Sequence, residues 1–170
     1  MKATYLFLCM LVALSSCKKS AKQDDAVKAD IDKVQEKNSA KVTITSGVWG
    51  TVSKKEGDCM PIYDAKTTTC KQYAIQREVR IYAYTTNDNA TPKVPLNGLY
   101  DSFNTQLVKT VNADAEGFFQ TQLTDGKYTI VFVEEGKLYA STGDGQGGIS
   151  PVEVKNNKVV ANLVLNRAVY

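Results

Sequence analysis

The chain has 170 residues, with 21 Lys and Arg against 18 Asp and Glu, 43% hydrophobic residues and no histidine. Lacking imidazole, it has neither the commonest general base at neutral pH nor the commonest metal ligand, so Ser-His-Asp and Cys-His nucleophilic sites and His-based zinc sites are excluded. The two charge signs are interspersed and the net charge of +3 is small, which argues against a nucleic-acid surface.

The N-terminus starts with Met1-Lys2, continues as an apolar run over residues 5–14 and ends that run at Ser15-Ser16-Cys17. A positive start, a short apolar stretch and small residues just ahead of a cysteine have the form of a bacterial lipoprotein processing site. The run falls well short of the roughly 18 apolar residues that a membrane-spanning helix needs. The expected consequence is removal of residues 1–16 and lipidation of Cys17. At about 0.8 kcal/mol per buried methylene, two or three acyl chains would hold the chain to a membrane without crossing it. Cys17-Lys18-Lys19-Ser20 resembles the start of lipoproteins from the Bacteroidetes group, which implies the outer membrane, in its periplasmic or its surface leaflet.

About 154 residues would remain, enough for one packed domain and a tether. Cys9 leaves with the signal and Cys17 carries lipid, so Cys59 and Cys70 are left as a pair, which in an oxidising compartment reads as a disulfide. The alternative for this pair is a soft-metal site in which Cys59, Met60 and Cys70 surround Cu(I), and it requires reduced thiols.

Residues 18–41 are charged and lack aromatics, Gly and Pro, while Ala26, Val27, Ile31 and Val34 recur at roughly helical spacing. This predicts a tether with some helix, whose apolar stripe is too thin to demand a partner. From residue 42 the pattern changes to period two, rich in Val, Thr, Ile and Tyr. Strands are predicted over 42–53, 74–85, 106–113, 118–123, 127–134, 137–140, 150–154 and 159–166. Seven or eight short strands with no helix among them predict an all-β fold, an antiparallel β-sandwich over residues 42–170. Trp49 is expected in its core.

Turn chemistry lies between these strands at Asp114-Ala115-Glu116-Gly117, at Asp125-Gly126 and at Glu134-Glu135-Gly136-Lys137. Three successive hairpins, a meander, are the expected result. Asn156-Asn157 turns the chain into its last strand, which residues 166–170 complete or flank.

Alternation places Val79, Ile81 and Ala83 on one face of a strand and Arg80, Tyr82 and Tyr84 on the other. The second set predicts an outward aromatic strip beside a cation, of the kind on which sugar rings or peptides stack. Met60 and Tyr63 are candidate contacts for a partner at the apolar tip of the Cys59/Cys70 loop. Gly143-Asp144-Gly145-Gln146-Gly147-Gly148 lacks the Lys and the following helix of a phosphate loop, and its one carboxylate is too few for calcium, so a flexible hairpin loop is expected. Asp24-Asp25 and Glu134-Glu135 read as solvated charge, and no carboxylate pair is spaced for acid/base work. No cofactor follows from these residues.

The run Asp114-Ala115-Glu116-Gly117-Phe118-Phe119, followed by Leu123-Thr124-Asp125-Gly126-Lys127-Tyr128-Thr129-Ile130-Val131, resembles the carboxypeptidase regulatory-like domains, and Gly50-Thr51-Val52 would open such a domain. The resemblance spans residues 42–165 and implies a transthyretin-like sandwich. It also implies a non-catalytic module that braces an enzyme, a transporter or a surface assembly, with some relatives binding glycans. Residues 54–76 depart from the family as an insert between its first two strands. Hydroxyisourate hydrolase, the catalytic relative on this fold, depends on histidines that the chain lacks, so no catalytic residue carries over. The expectation is therefore a lipid-anchored, disulfide-stapled β-sandwich that binds a protein partner in the cell envelope or, alternatively, a glycan.

Overall fold

The computed structural model describes residues 31–60 and 69–170. Cys17, Asp24-Asp25 and Tyr63 lie outside the described residues, and so does the processing site. The described chain is an all-β sandwich with one short helix, α1 (Ile31–Ser39).

One sheet is built around β1 (Gly47–Asp58). Along one edge β1 pairs antiparallel with β8 (Phe118–Gln122) and then with β2 (Lys71–Ala74). Along the other it pairs parallel with β12 (Lys158–Val160) and then with β13 (Leu163–Val169). The second sheet centres on β9 (Gly126–Glu134), flanked on one side by β3 (Glu78–Ala83) and beyond it β7 (Leu107–Asn112). On its other side lie β11 (Pro151–Val154) and β10 (Lys137–Tyr139), and β5 (Leu99–Tyr100) pairs with β10. β4 (Ala90–Thr91) and β6 (Ser102–Phe103) form a small separate ribbon.

The alternating apolar residues face each other between the sheets. Val48, Val52, Val79, Ile81, Ile130 and Leu165 are completely buried there. Tyr128 joins this core with its ring while its hydroxyl donates to the Thr124 carbonyl at 3.0 Å, so the polar end of a buried aromatic is satisfied by backbone four residues upstream.

Several expectations change. β1 begins five residues later than predicted and runs on to Asp58, because pairing to β2 and β13 continues after the apolar alternation has ended at Ser53. The predicted strand over 159–166 divides at Ala161-Asn162 but keeps one register, Trp49 opposite Val160 and Val52 opposite Leu163. The gap is bridged by the Ala161 amide donating to the Trp49 carbonyl at 2.8 Å and the Thr51 amide to Asn162 Oδ1 at 3.0 Å. The meander does not form. The turns at Asp114-Gly117, Asp125-Gly126 and Asn156-Asn157 each carry the chain from one sheet to the other, and only Glu135-Gly136 closes a hydrogen-bonded hairpin, between β9 and β10. A turn signal specifies reversal, whereas the pairing partner is chosen by which edges remain open.

Trp49 sits half-buried on the outer face of the first sheet, since the inward positions of β1 are those of Val48 and Val52. Glu134 is buried rather than solvated and accepts from Arg77 Nε at 2.8 Å, while Glu135 is exposed in the turn.

The predicted tether has a partner after all. Ile31 and Val34 are half-buried and α1 contacts β1 and β2. Asn38 is fully buried, its Nδ2 donating to Thr51 Oγ1 and to the Glu116 carbonyl, each at 2.9 Å. Lys41 pairs with Asp114 at 2.8 Å and Glu116 at 2.6 Å, and Lys37 pairs with Glu116 as well.

The Cβ of an alanine at position 50 would lie 2.0 Å from the Ala161 carbonyl oxygen. Gly50→Ala therefore has to push β12 and β13 away from β1, and chemical denaturation should show a loss of about 2–3 kcal/mol. The disulfide between Cys59 and Cys70 spans 11 positions. A Cys59→Ser/Cys70→Ser chain should keep its far-ultraviolet circular dichroism but lose about 3 kcal/mol of unfolding free energy on the chain-entropy account.

Candidate functional site

The outward face of β3 is the one that alternation predicts, yet it is covered. Residues 86–105 form β4 and β6 apart from the sheet and β5 at its β10 edge, and fold back over β3 and β9. Tyr82 is only 7% exposed and belongs to a second apolar cluster with Tyr100, Val131, Leu138 and Ile149. Phe103 meets the rings of Tyr82 and Tyr100 edge-on, with centroids 5.1 and 5.2 Å away. Arg80 is paired with Glu78 at 2.6 Å. An aromatic strip open to stacking ligands is therefore not present on β3. Nothing periodic in residues 86–105 announces that Tyr100 and Phe103 cover it.

Tyr84, the third member of the set, has a polar role. Its hydroxyl donates to Asp144 Oδ2 at 2.8 Å, and Lys127 Nζ donates to the same oxygen at 2.9 Å while lying 3.9 Å from the centre of the Tyr84 ring. Asp144 Oδ1 accepts from the backbone amides of Gln146 and Gly148, each at 2.9 Å. The Lys127 ammonium above all, then the Tyr84 hydroxyl and the two amides, hold the Asp144 carboxyl far below the usual carboxylate range. Asp144 in turn raises the Lys127 ammonium above its ordinary value. The Asn87 amide also donates to the Gly147 carbonyl at 2.9 Å. The glycine-rich segment is thus a hairpin loop, with Gly143 bridged antiparallel to Ile149, and one braced by side chains. Both Asp144 oxygens are engaged, which leaves them no lone pair directed at a cation.

The soft-metal arrangement at Cys59, Met60 and Cys70 is excluded in this state because the two sulfurs are bonded to each other, with Cα atoms 4.7 Å apart. Met60 is half exposed beside the disulfide.

Among the described residues, open concave surface lies at the loop end of the second sheet. One cleft of about 480 Å³ is bounded by Asn87, Tyr100, Thr142 and the backbone of the glycine-rich loop. A second, of about 420 Å³, is bounded by Asn97, Tyr139, Asn166 and Arg167. The two meet at Gly98, Ala140 and Ser141. The turn between them, Leu96-Asn97-Gly98-Leu99, has φ of 55° and 74° at its central pair, the two left-handed positions that favour Asn-Gly. Just before it Val94 and Leu96 stand 86% and 80% exposed.

No family model, curated protein or solved structure matches this chain. Its function must be argued from these side chains.

Of the residues singled out from sequence, the structure brings together Cys59 with Cys70, Tyr84 with Asp144, and Tyr82 with the cover. The clefts gather Asn97, Ser141, Asn166 and Arg167, polar residues of kinds common on any surface, from three separated segments. Only the Asn97-Gly98 turn carried a local signal for any of it.

Because Asp144 titrates far below its unfolded value, its contribution to stability is complete above about pH 4 and is lost as the pH falls from there. Thermal unfolding should show Asp144→Asn melting below the wild type by a constant margin between about pH 5 and pH 8, with the margin shrinking below about pH 4, where proton uptake by the unfolded-state carboxyl favours unfolding of the wild type.

Proposed function

We propose that this chain is a lipid-anchored, non-catalytic binding module of a bacterial cell envelope that docks a protein partner at the loop end of the second sheet. The observation that carries this reading is the Val94-Pro95-Leu96 tip, whose two large apolar side chains are more exposed than any other large hydrophobic residue described. Apolar residues held this far out of the domain, beside a polar cleft, match the apolar centre and polar rim of a protein interface. The tip rests on a turn pinned to β10 by the Ala140 amide donating to the Gly98 carbonyl at 3.0 Å, so its presentation requires little further ordering on binding.

The anchor belongs to the same proposal. The lipobox-like Leu14-Ser15-Ser16-Cys17 supports lipidation at Cys17, and α1 packs against β1 and β2 within the segment expected as a tether. The likeness to carboxypeptidase regulatory-like domains remains part of the reading, supported by the two-sheet architecture and by the buried Tyr128 with its backbone-bonded hydroxyl. A carbohydrate-binding accessory is the second reading. It loses the strip at Arg80, Tyr82 and Tyr84 and rests instead on the polar cleft.

Expressed in a Gram-negative host with labelled palmitate, the wild type should take up label and sediment with membranes, and Cys17→Ala should do neither. In intact cells of the native host, a photo-crosslinking residue at position 94 should give a discrete protein adduct that the same residue at exposed Glu153 does not. Unlabelled wild-type protein would overturn the anchor, and no adduct at position 94 would overturn the docking surface.

A further inference from the structure

We propose that the cleft between Asn97 and Arg167 is a binding site for a carboxylate-bearing saccharide, a uronic acid unit whose carboxylate is held by Arg167. The proposal shares the binding-module reading but not its protein partner, so a failure here leaves the crosslinking result at Val94 untouched.

Arg167 is the departure from pattern that points to a ligand. The chain has three arginines. Arg77 is paired with Glu134 at 2.8 Å and Arg80 with Glu78 at 2.6 Å. Arg167, half-buried on β13, has no carboxylate partner among the described residues. Its guanidinium carbon lies 5.9 Å from the centre of the Tyr139 ring. A ring at this range supports the cation and helps preorganise its planar fork of donors for a two-pronged contact with a carboxylate. Glu56, opposite Arg167 in the β1 register, is already engaged by Lys54 at 2.7 Å and by the Tyr73 hydroxyl at 2.9 Å.

The surroundings select the rest of the ligand. No Asp or Glu lines either cleft. The Asn97 amide, the Asn166 Nδ2 group and the lone pairs of the Ser141 hydroxyl line the same cleft as Arg167, donors and acceptors of the kind that match neighbouring sugar hydroxyls. The volumes of about 420 and 480 Å³ fall in the ordinary range of roughly 300–1,000 Å³ for small-ligand sites.

An acidic peptide fits less well. The obvious way for a peptide to bind here is to add as a strand along the open edge of β13, and that edge is closed by the chain's own side chains. The Asn166 amide donates to the Tyr139 hydroxyl at 3.1 Å, the Ala168 amide to Asn166 Oδ1 at 3.1 Å, and the Ser141 hydroxyl to the Val164 carbonyl at 3.4 Å. With those groups taken, the cleft offers side chains rather than a backbone ladder.

The test is calorimetric titration of the full chain in detergent micelles with trimers of galacturonate, glucuronate and mannuronate, beside neutral galactotriose and a Glu-rich heptapeptide. At least one uronate trimer should bind, at least tenfold more tightly than galactotriose. Arg167→Gln should weaken that binding tenfold or more, and Arg167→Lys should restore only part of it. Asn97→Asp, at an exposed turn position that tolerates Asp, sets a carboxylate in the cleft and should abolish binding without touching the sandwich, which covers the case in which Arg167→Gln folds poorly. No binding by any of the uronates, equal binding by galactotriose, wild-type affinity in Arg167→Gln, or binding of the peptide alone would each overturn the proposal.

Discussion

The parallel pairing of the first strand with the last two is the constraint on which the rest of the structure depends. β1 is hydrogen-bonded along both edges, and its register with β12 and β13 is unbroken from Gly47 opposite Lys158 to Asp58 opposite Val169. Closing this sheet brings Val48 and Val52 against Leu165 and buries all three completely. The approach is tight enough at Gly50 that a single added carbon meets the Ala161 carbonyl. Since the pairing joins the two ends of the domain, it is strongly non-local, the kind of contact that makes β-sandwiches slow folders.

The second sheet carries a core on each face, and that doubling creates the candidate site. Inward side chains of β3 and β9 meet the first sheet, while Tyr82 and Val131 face outward beneath the segment that carries Tyr100 and Phe103. Edge-to-face ring contacts of this kind add about 0.5–1.5 kcal/mol each beyond burial. They fix the covering segment, and with it the Asn97-Gly98 turn that walls the cleft. The Asp144 brace does the same for the glycine-rich wall, and Tyr84 links the brace to β3. What alternation marks as a binding strip is the support of the candidate surface one layer further out.

Helix docking rests on a close balance. Two hydrogen bonds from the buried Asn38 amide contribute about 1 kcal/mol each, and its Oδ1, buried with no partner among the described residues, costs about 1–3 kcal/mol. The ion pairs of Lys37 and Lys41 with Asp114 and Glu116 are exposed and each worth less than about 1 kcal/mol. Partial burial of Ile31 and Val34 then decides that the helix stays on the sheet. Asp114 and Glu116, which sequence alone marks as turn residues, therefore also seat α1.

Local chemistry was legible in the sequence by itself: an all-β domain, most strand positions, the faces of β3, the pairing of Cys59 with Cys70 and the location of the tight turns. Each of these depends on neighbours within a few residues or, for the cysteines, on there being two left to pair. The tertiary structure alone decided what is non-local. It sent three of the expected hairpin or turn connections across to the opposite sheet, paired the last strands parallel to the first, buried Glu134 against Arg77, moved Trp49 out of the core and covered Tyr82. It also left Arg167, at the edge of a polar cleft, without a carboxylate partner among the described residues. The physical reason is common to all of these: period and turn type specify how a segment bends and which face is apolar, whereas partners are set by which edges and faces remain uncovered once the whole chain has closed.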